Sequence, residues 1–516
     1  MRTLVSAIAV ASACLLQPSA AFADAAGDLL ARVRASIGAD APLPEGHAVV
    51  LEGTSGLLGM DSTVRVTITR DGGVLSSTEG VVPFQRCWNA PDVWRKDLGG
   101  EVTRLVFGER DETIVELALV SGGWTTPGTL ELSLNPALQS PDTPWLLSYR
   151  MSEGRMTGEV RVDRATLRPV SASIVSGGRT RAVILEGELT LNGRWFPRSA
   201  RVSAGGGEDT SFSFSSITGG PFDARALAFD SAPPRDTEYD ASVPAALEVK
   251  KAKTGHLLVR PRINAKDSGW WIFDTGAGGG VIDSKEAVRL GLETFGSIPV
   301  SGMGGSMMSS MVRPESFTLG PVTYHSVYMT ALDLSGIAKA MGEEIAGVVG
   351  YNLMHRAIVR LDMHTPRVEL LDGATFKGEG LPWQRMWVYE RHPAVEATVE
   401  GVTGPFKLDS GAGGMTVFMH SRAVVEMKLL SRETKDSVSG GVGGMKPIKT
   451  GSLAEFTIAG KAYKDLKASF SLAADGPTAD PYTLGTIGGG VLRDFDLVLD
   501  YRGGRIAFVE RGPAPR

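Results

Sequence analysis

An internal repeat in the second half of the chain constrains the fold more than any other feature of the sequence. Three glycine-rich segments recur in the same order, at a spacing of 135–138 residues. A duplication that preserves this order predicts two halves with the same fold. The paired segments are FDTGAGGGVI (273–282) with LDSGAGGMTV (408–417), VSGMGG (300–305) with VSGGVGG (438–444), and 347–371 with 485–509.

Each copy begins with an Asp-[Thr/Ser]-Gly triplet directly after an apolar run, which places Asp274 and Asp409 at equivalent positions. The triplet alone says little, because such residues make up tight turns. It is expected by chance roughly once in every one or two chains of this length. Asp267-Ser268-Gly269 is a further instance, but it follows Lys266 and has no second copy, so we interpret it as a hairpin tip. The duplicated context, rather than the triplet, distinguishes Asp274 and Asp409.

Two aspartates that meet between the halves would form a proton-sharing pair, because two carboxylates in contact cannot both ionise. The ionised member can take a proton from water while the protonated member donates one to a carbonyl oxygen. Gly276 and Gly411 allow the tight turn that such a pair requires. The hydroxyls of Thr275 and Ser410 can bond to backbone across the two loops and lock them together.

These segments resemble the two lobes of a pepsin-type aspartic protease, with each lobe closer in size to a retropepsin-like domain. The resemblance extends from about residue 250 to the C-terminus. It implies a mostly β, bilobal fold with a cleft between the lobes, and an endopeptidase that uses no cofactor and no metal. It also implies catalytic roles for Asp274 and Asp409, and supporting roles in the active loops for Thr275, Gly276, Ser410 and Gly411. The flap and substrate-binding residues that it implies are Gly302, Met303, Gly304, Gly305, Gly440 and Gly441.

The flap segment differs from that of pepsins, which carry a tyrosine there. The segment SGMGGSMMSSM (301–311) has none, and its methionines either supply flexible apolar contacts to substrate or only pack within the lobe. In the second copy Thr486 occupies a position where an apolar residue is usual, which predicts looser support beneath that active loop.

The sequence before the repeat predicts two further parts. Residues 1–23 have the features of a signal peptide, with Arg2, an apolar stretch and Ala-Phe-Ala before the predicted cut after Ala23. Lipidation at Cys14 is the alternative. The cleaved signal peptide predicts a periplasmic or secreted protein without stable membrane insertion, whereas lipidation would make the protein a lipoprotein. The expected division of the chain is a signal peptide (1–23), a β-rich domain (24–235), a linker (236–248), lobe 1 (249–375) and lobe 2 (376–516).

Within 24–235, a short amphipathic helix is predicted at 24–40, followed by alternating runs separated by DGG, NG and GGG turns. One of these runs, TRLVFGERDETIVELALV (103–120), is interpreted as strand. The pattern predicts a separate antiparallel sheet that is curved or forms a half-barrel. It loosely resembles the curved sheets of periplasmic lipoprotein-carrier folds.

Charge and residue pattern narrow the function. A formal net charge of −5 gives no electrostatic reason to expect nucleic acid as a partner. The seven histidines are scattered and no metal-binding spacing is present. The expected partner is a peptide or unfolded protein substrate, and a monomer suffices because both acids lie on one chain. The alternative is a catalytically silent peptide-binding or scaffold protein that retains the fold.

The residue after each active-loop glycine predicts the pH range of activity. Ala277 and Ala412 have no hydroxyl to stabilise the ionised dyad by hydrogen bonding. The pKa values of the dyad should therefore be less depressed than in a stomach enzyme, with maximal activity closer to neutral pH. A pH–rate profile of peptide cleavage measures this, and a maximum below about pH 3 would contradict it.

Overall fold

The computed structural model describes residues 20–57, 60–81, 83–203, 209–230, 232 and 235–510. Most of the predicted signal peptide, Cys14 included, lies outside these residues; the first helix begins at Ala20 and runs past the predicted cut after Ala23. In the part of the chain that the structure describes, no helix is both long and apolar enough to cross a membrane. The fold is mostly β, with several antiparallel sheets.

The region before the repeat is a large antiparallel sheet with two helices. Within the described residues the sheet has thirteen strands in the order β6-β5-β4-β3-β2-β1-β15-β14-β11-β10-β9-β8-β7, and β12 and β13 form a separate ribbon. The elements are α1 (Ala20–Ser36), β1 (His47–Leu57), β2 (Met60–Thr69), β3 (Val74–Glu79), β4 (Phe84–Asn89), β5 (Asp92–Lys96), β6 (Val102–Arg104), α2 (Phe107–Ser121), β7 (Glu131–Leu134), β8 (Trp145–Met151), β9 (Met156–Val162), β10 (Pro169–Ser176), β11 (Arg179–Glu186), β12 (Leu189–Leu191), β13 (Arg194–Phe196), β14 (Ser199–Val202) and β15 (Thr210–Pro221).

The interpretation of 103–120 as strand was wrong, because most of this run is helix α2. Its apolar residues fit both the helical period and the two-residue period of a strand. Val115, Ala118 and Leu119 lie on one helical face and pack in the core against α1 and the sheet. Gly122 ends the helix with a left-handed φ of 81°, a conformation that glycine adopts at little cost. Tertiary packing therefore decided between two patterns that the sequence left ambiguous.

The first repeat (residues 249–375) and the preceding segment contain fifteen described strands and three helices. The segment 236–248, predicted as a linker, contributes the edge strand β16. The elements are β16 (Thr237–Tyr239), β17 (Val249–Lys251), β18 (Leu257–Val259), β19 (Arg262–Ile263), β20 (Lys266–Asp267), β21 (Trp271–Phe273), β22 (Val281–Asp283), α3 (Ser284–Leu290), β23 (Thr294–Gly302), β24 (Gly305–Val312), β25 (Ser316–Leu319), β26 (Val322–His325), β27 (Met329–Leu332), α4 (Ser335–Met341), β28 (Gly347–Val349), α5 (Tyr351–Met354), β29 (Ile358–Asp362) and β30 (Arg367–Leu371).

The second repeat (residues 376–516, described to 510) follows the same plan. Its elements are β31 (Trp383–Arg385), β32 (Trp387–Tyr389), β33 (His392–Val399), β34 (Val402–Asp409), β35 (Val417–Met419), α6 (Ser421–Glu426), β36 (Lys435–Gly441), β37 (Gly444–Ile458), β38 (Lys461–Ser471), β39 (Gly485–Gly488), α7 (Gly489–Leu492), β40 (Phe495–Asp500) and β41 (Arg505–Glu510).

Each repeat forms an eight-stranded sheet with the same strand order. The first is β17-β18-β21-β28-β22-β27-β24-β23 and the second is β32-β33-β34-β39-β35-β38-β37-β36. The strand before each predicted active loop pairs in parallel with the later Gly-rich strand, β21 with β28 and β34 with β39. That Gly-rich strand then pairs antiparallel with the strand that leaves the loop. Sequence duplication therefore corresponds to a duplicated topology.

A five-stranded sheet joins the two repeats in the order β30-β29-β40-β41-β31. Its central pair, β29 and β40, takes one strand from each repeat. Arg360 of β29 binds the Asp496 carboxylate of β40 at 2.6–3.2 Å. A single buried apolar cluster extends through both repeats, so neither can move independently without breaking that core.

Arg356, two residues after the end of α5, binds the N-terminal sheet to the first repeat. Its guanidinium is 3% exposed and bonds to Glu101 at 2.7 Å and to Asp236 at 2.7–2.9 Å. It also donates to the Gly99 carbonyl at 3.0 Å. Glu101 and Gly99 belong to the N-terminal region and Asp236 to the connecting segment, so one cation holds three parts of the chain together.

Replacing Arg356 with Met should lower the free energy of unfolding by about 3–5 kcal/mol, because the buried carboxylate of Glu101 and the half-buried carboxylate of Asp236 lose their counter-charge. Urea unfolding measures the change. Arg225→Met is the matched control: it removes a fully exposed pair with Asp223 and should leave the urea unfolding curve unchanged. A loss below about 1 kcal/mol in the Arg356 variant would contradict this role.

Candidate active site

The two duplicated aspartates occur where their carrier strands end, on loops that face each other. Asp274 follows β21, and its backbone N–H donates to the Val349 carbonyl at 3.0 Å. Asp409 is the last residue of β34. The strand residues before them, Phe273 and Leu408, are buried in the shared core, which fixes where each loop begins.

Four hydrogen bonds cross between the active loops through Thr275 and Ser410. The Ser410 hydroxyl donates to the Phe273 carbonyl at 2.9 Å and accepts from the Thr275 N–H at 3.0 Å. The Thr275 hydroxyl donates to the Leu408 carbonyl at 3.1 Å and accepts from the Ser410 N–H at 2.9 Å. Both hydroxyls are therefore fully used, and both loops depend on each other for buried polar groups.

Gly276 and Gly411 lie against the carboxyls of the opposite loops. A Cβ atom at Gly276 would collide with the Asp409 carboxyl, and one at Gly411 would collide with that of Asp274. Both glycine N–H groups donate to Asp274 Oδ1, at 2.7 Å from Gly276 and 3.1 Å from Gly411. The two triplets thus need glycine for close approach, and the approach brings both carboxyls into one site.

The electrostatics distinguish the two acids. Burial, the charge of Asp274 and a side-chain hydrogen bond to Asp274 raise the pKa of Asp409 well above its usual range. The nearby N–H groups of Ala412 and Gly411 oppose this shift but do not cancel it. Asp274 Oδ1 accepts two backbone N–H hydrogen bonds, from Gly276 and Gly411. The Oδ1 atom of Asp409 is buried and has no hydrogen-bond partner among the described residues.

Two β-hairpins meet tip to tip, one from each repeat. They are β23–β24 and β36–β37, whose strands pair to within one residue of the turn. The Gly304 N–H donates to the Val442 carbonyl at 2.9 Å. Glycines at both tips permit this contact, since a Cβ at Gly302 would meet Val442 and one at Gly441 would meet Met303.

The predicted flap residues therefore all lie at or beside this meeting point. Gly304 lies in the first turn and Gly305 closes it, whereas Gly440 is paired in β36 just before the second turn. A Cβ at Gly304 would collide with Gly444 of the facing tip. Of the flap methionines, Met303 lines the cavity described below, whereas Met311 is buried in the core. Met307 and Met308 are 36% and 44% exposed. Of the two alternatives that the sequence left open, Met303 fits contact with a substrate and Met311 fits packing within the lobe.

A cavity of about 560 Å³ contains Asp409 and Gly276. One hairpin contributes Ser301, Gly302 and Met303 to its lining, and the second repeat contributes Lys407 and His420. The N-terminal region also forms part of the wall. Its contributors include Gly108, Glu109 and Glu112 of α2, with Ile174, Gly177, Arg179 and Arg181 of the β10–β11 hairpin.

The attachment of this wall uses packed and hydrogen-bonded contacts. Phe107, at the start of α2, makes edge-to-face contacts with Trp387 and Tyr389 at centroid distances of 5.5 and 5.3 Å. Glu109 accepts a hydrogen bond from the Glu390 N–H at 2.8 Å. The Tyr482 hydroxyl donates to Asp111 at 2.8 Å. The wall is thus fixed to the second repeat by several independent contacts.

A buried polar network beside Asp409 escaped the sequence analysis. Lys407 bonds to Glu390 at 2.5 Å and lies 3.6 Å from Asp480. The Thr483 hydroxyl contacts His420 Nδ1 at 2.8 Å and donates to Asp480 at 2.6 Å. One signal was available: Lys407 interrupts the apolar run before the second triplet, at the position that Ile272 occupies in the first.

Thr486, where an apolar residue was expected, belongs to the same network. Its hydroxyl lies 3.1 Å from His420 Nε2. The hydroxyl therefore has a partner in a polar environment, and the strand that carries it keeps its full register with β34.

The third Asp-Ser-Gly triplet and the buried cysteine lie outside the site. Asp267 ends the short strand β20 and pairs with Arg260 at 2.5 Å, whereas the hairpin tip itself is Asn264-Ala265. Cys87 is buried, and burial raises the pKa of its thiol to about 12. Within the described ranges, no group of three or more His, Cys, Asp or Glu side chains could hold a metal ion.

The raised pKa of Asp409 predicts a pH-dependent stability. Between the unfolded pKa of about 4 and the higher folded pKa, the folded state binds one more proton than the unfolded state, so stability falls as pH rises. Asp409→Asn removes this dependence. The free energy of unfolding of the wild type should fall relative to the variant by up to about 1.4 kcal/mol per pH unit above pH 4. Urea unfolding from pH 4 to 8 measures it, and parallel curves for both proteins would contradict it.

Comparison with known proteins finds one family. A model described as "Aspartyl protease" matches residues 259–353, a stretch that includes Asp274 and the first hairpin, so this part of the chain is an aspartyl-protease-like region. No curated protein matches the chain significantly.

Solved structures include three with weak similarity. A DUF1329 family protein from Desulfovibrio piger has 11% identity and a TM-score of 0.30, over 40% of this chain and 96% of that one. A LolA superfamily protein from Nitrosomonas europaea has 14% identity and a TM-score of 0.27, over 37% of this chain and 92% of that one. A putative outer membrane lipoprotein-sorting protein domain from Vibrio parahaemolyticus has 10% identity and a TM-score of 0.28, over 38% and 92%. TM-scores this low do not establish a shared fold.

Proposed function

We propose that this chain is an aspartic endopeptidase with a bilobal, pepsin-like arrangement, in which Asp274 and Asp409 activate a water for peptide hydrolysis. The observation that carries the proposal is the convergence of two acids from two copies of one motif. Their loops are locked by the four crossing hydrogen bonds of Thr275 and Ser410. A pair of carboxyls in this setting supplies general base and general acid together.

The surroundings of each acid support a division of roles. Asp274, with two N–H donors on one oxygen, is suited to be the ionised member that accepts a proton from water. Asp409, whose pKa is raised by burial and by Asp274, is suited to hold the proton. Asp409 lines the same cavity as the flap residue Met303, where a substrate carbonyl would be bound, and its buried Oδ1 has no hydrogen-bond partner among the described residues.

The chemical steps balance without a metal or a covalent intermediate. Asp274 takes one proton from water as the water oxygen attacks the peptide carbonyl carbon, and Asp409 gives its proton to the carbonyl oxygen. When the C–N bond breaks, the nitrogen takes the proton from Asp274 and the hydroxyl proton returns to Asp409. The dyad is then back in its starting state, and its titration belongs to the pair.

The two meeting hairpins support a substrate bound in extended form beneath them. Their tips are held by the backbone hydrogen bond from Gly304 to Val442 and by close approach of glycines, so opening requires few side-chain rearrangements. We further propose that the N-terminal region selects substrate, because Glu112 and Arg181 line the cavity that contains Asp409. The signal-like N-terminus supports a periplasmic or secreted location.

Asp274→Asn and Asp409→Asn should each lower the rate of cleavage of a denatured protein substrate by about 10²–10⁴-fold, since either change removes one of the two proton-transfer groups. Asp267→Asn is the matched control, because it alters an Asp-Ser-Gly triplet that lies outside the site. This variant should cleave the substrate at the wild-type rate. The rates are measured on purified proteins whose folding is checked by circular dichroism.

Equal cleavage by the wild type and both dyad variants would overturn the dyad. Absence of cleavage by the wild type, together with peptide binding that survives in Asp409→Asn, would overturn the peptidase and support the silent peptide-binding alternative.

A further inference from the structure

Two histidines outside the dyad contact the active loops at equivalent points. His256 Nε2 lies 2.6 Å from the Gly411 carbonyl oxygen. His392 Nε2 lies 2.9 Å from the Gly276 carbonyl oxygen. These are the glycines whose N–H groups bind Asp274. The carbonyl side of each active loop is therefore held by an imidazole.

The two contacts form a symmetric pair that crosses between the repeats. His256 and His392 are 136 residues apart, which is the spacing of the duplication. Each precedes or begins the second strand of an equivalent hairpin, β17–β18 or β32–β33. Each bonds to the loop of the other repeat. Among seven scattered histidines, these two recur because the duplicated fold brings them to equivalent places.

A carbonyl acceptor requires that the facing ring nitrogen carry a proton. The Thr254 hydroxyl lies 2.8 Å from His256 Nδ1 and can donate to it, which leaves Nε2–H for Gly411. His392 Nδ1 is buried and has no partner among the described residues. Burial and the charge of Lys407 lower the pKa of His392, while Glu390 and Asp274 oppose that shift. Both rings can therefore present an Nε2–H to the carbonyl that they face.

The carbonyls that accept from His256 and His392 belong to peptide groups whose N–H groups point toward the aspartates. In the Gly411–Ala412 peptide, the oxygen meets His256 and the N–H of Ala412 points back toward Asp409, 3.4 Å from its backbone oxygen. That N–H also acts on the side chain, where it lowers the pKa of Asp409. The Gly276–Ala277 peptide repeats the arrangement, with the Ala277 N–H 3.3 Å from the Asp274 backbone oxygen. Because a peptide group is planar, fixing its oxygen also fixes the direction of its N–H.

We propose that His256 and His392 are positioning residues, each of which orients the active-loop peptide of the opposite repeat and thereby aligns the dyad carboxyls. The inference rests on the proposed aspartic peptidase function for its kinetic test, but the alignment itself is a structural property. The two histidines add a second pair of crossing bonds outside the Thr275–Ser410 set. They act through Gly411 and Gly276, and His392 also lines the cavity that contains Asp409.

The test compares His256→Leu with His256→Gln, and the same pair at His392. Leucine fills the space but cannot donate, whereas the glutamine amide can donate to the same carbonyl. We expect kcat to fall by about 10- to 100-fold in the Leu variants with KM changed less than about twofold, because alignment rather than binding is lost. The Gln variants should recover to within about threefold of the wild type. His364→Leu, in an exposed turn, is the control and should match the wild type.

A second readout does not depend on turnover. With the aspartate carboxyls labelled with ¹³C, NMR titration follows the dyad directly. In His256→Leu the N–H of Ala412 is less well aimed, so the apparent pKa of the pair should move upward by at least about half a unit. His256→Gln should titrate like the wild type.

Wild-type kcat and an unshifted titration in both Leu variants would overturn the positioning role. So would equal losses in the Leu and Gln variants with a matching drop in thermal stability, since that pattern indicates packing alone. If the wild type cleaves no peptide, the proposed function fails, whereas the NMR titration still decides the role of His256.

Discussion

The reciprocal hydrogen bonds of Thr275 and Ser410 are the interaction on which the rest of the site depends. Each hydroxyl satisfies a backbone donor and a backbone acceptor near the other loop, so a change in either loop leaves buried polar groups of the other unsatisfied. The bonds form only when both repeats are folded and in register. A strand from each repeat also pairs in the central sheet, β29 with β40, which joins the two repeats a second time.

Around this symmetric centre the two repeats differ in polarity. Beneath the first active loop, Ile272 and Val348 belong to an apolar cluster. At the equivalent positions of the second repeat, Lys407 and Thr486 belong to a polar network that lines the cavity. Burying a lysine is unfavourable unless it is paired, and the apolar alternative exists in the same chain. The polar version therefore gives the cavity a charged side next to Asp409, the acid whose pKa is raised.

The sequence predicted the parts of the structure that are duplicated. It did not predict the contacts that join distant parts of the chain. Repeat spacing alone placed Asp274 and Asp409, their glycines and both hairpins at equivalent positions. It did not identify α2, because a run such as 103–120 satisfies helical and strand periods until packing decides. It also gave no sign that Glu112, nearly 300 residues before Asp409, lines the same cavity. The histidines at 256 and 392 carried the repeat spacing, but single matching residues have too little local context to be noticed.

The N-terminal region forms one wall of the cavity and contacts both repeats. Its charged side chains are largely neutralised within the protein: Arg181 contacts Glu112 at 3.3 Å and Glu116 at 2.5 Å, and Glu109 pairs with Arg95. These side chains line the cavity without filling it, and a volume of about 560 Å³ remains beside Asp409. A segment that blocked the site would instead place a side chain or backbone against the carboxyls. Arg356 anchors the region on the first repeat and α2 anchors it on the second, so the wall is held in place from both sides. The site is therefore composed of three parts of the chain, of which only two are related by the duplication.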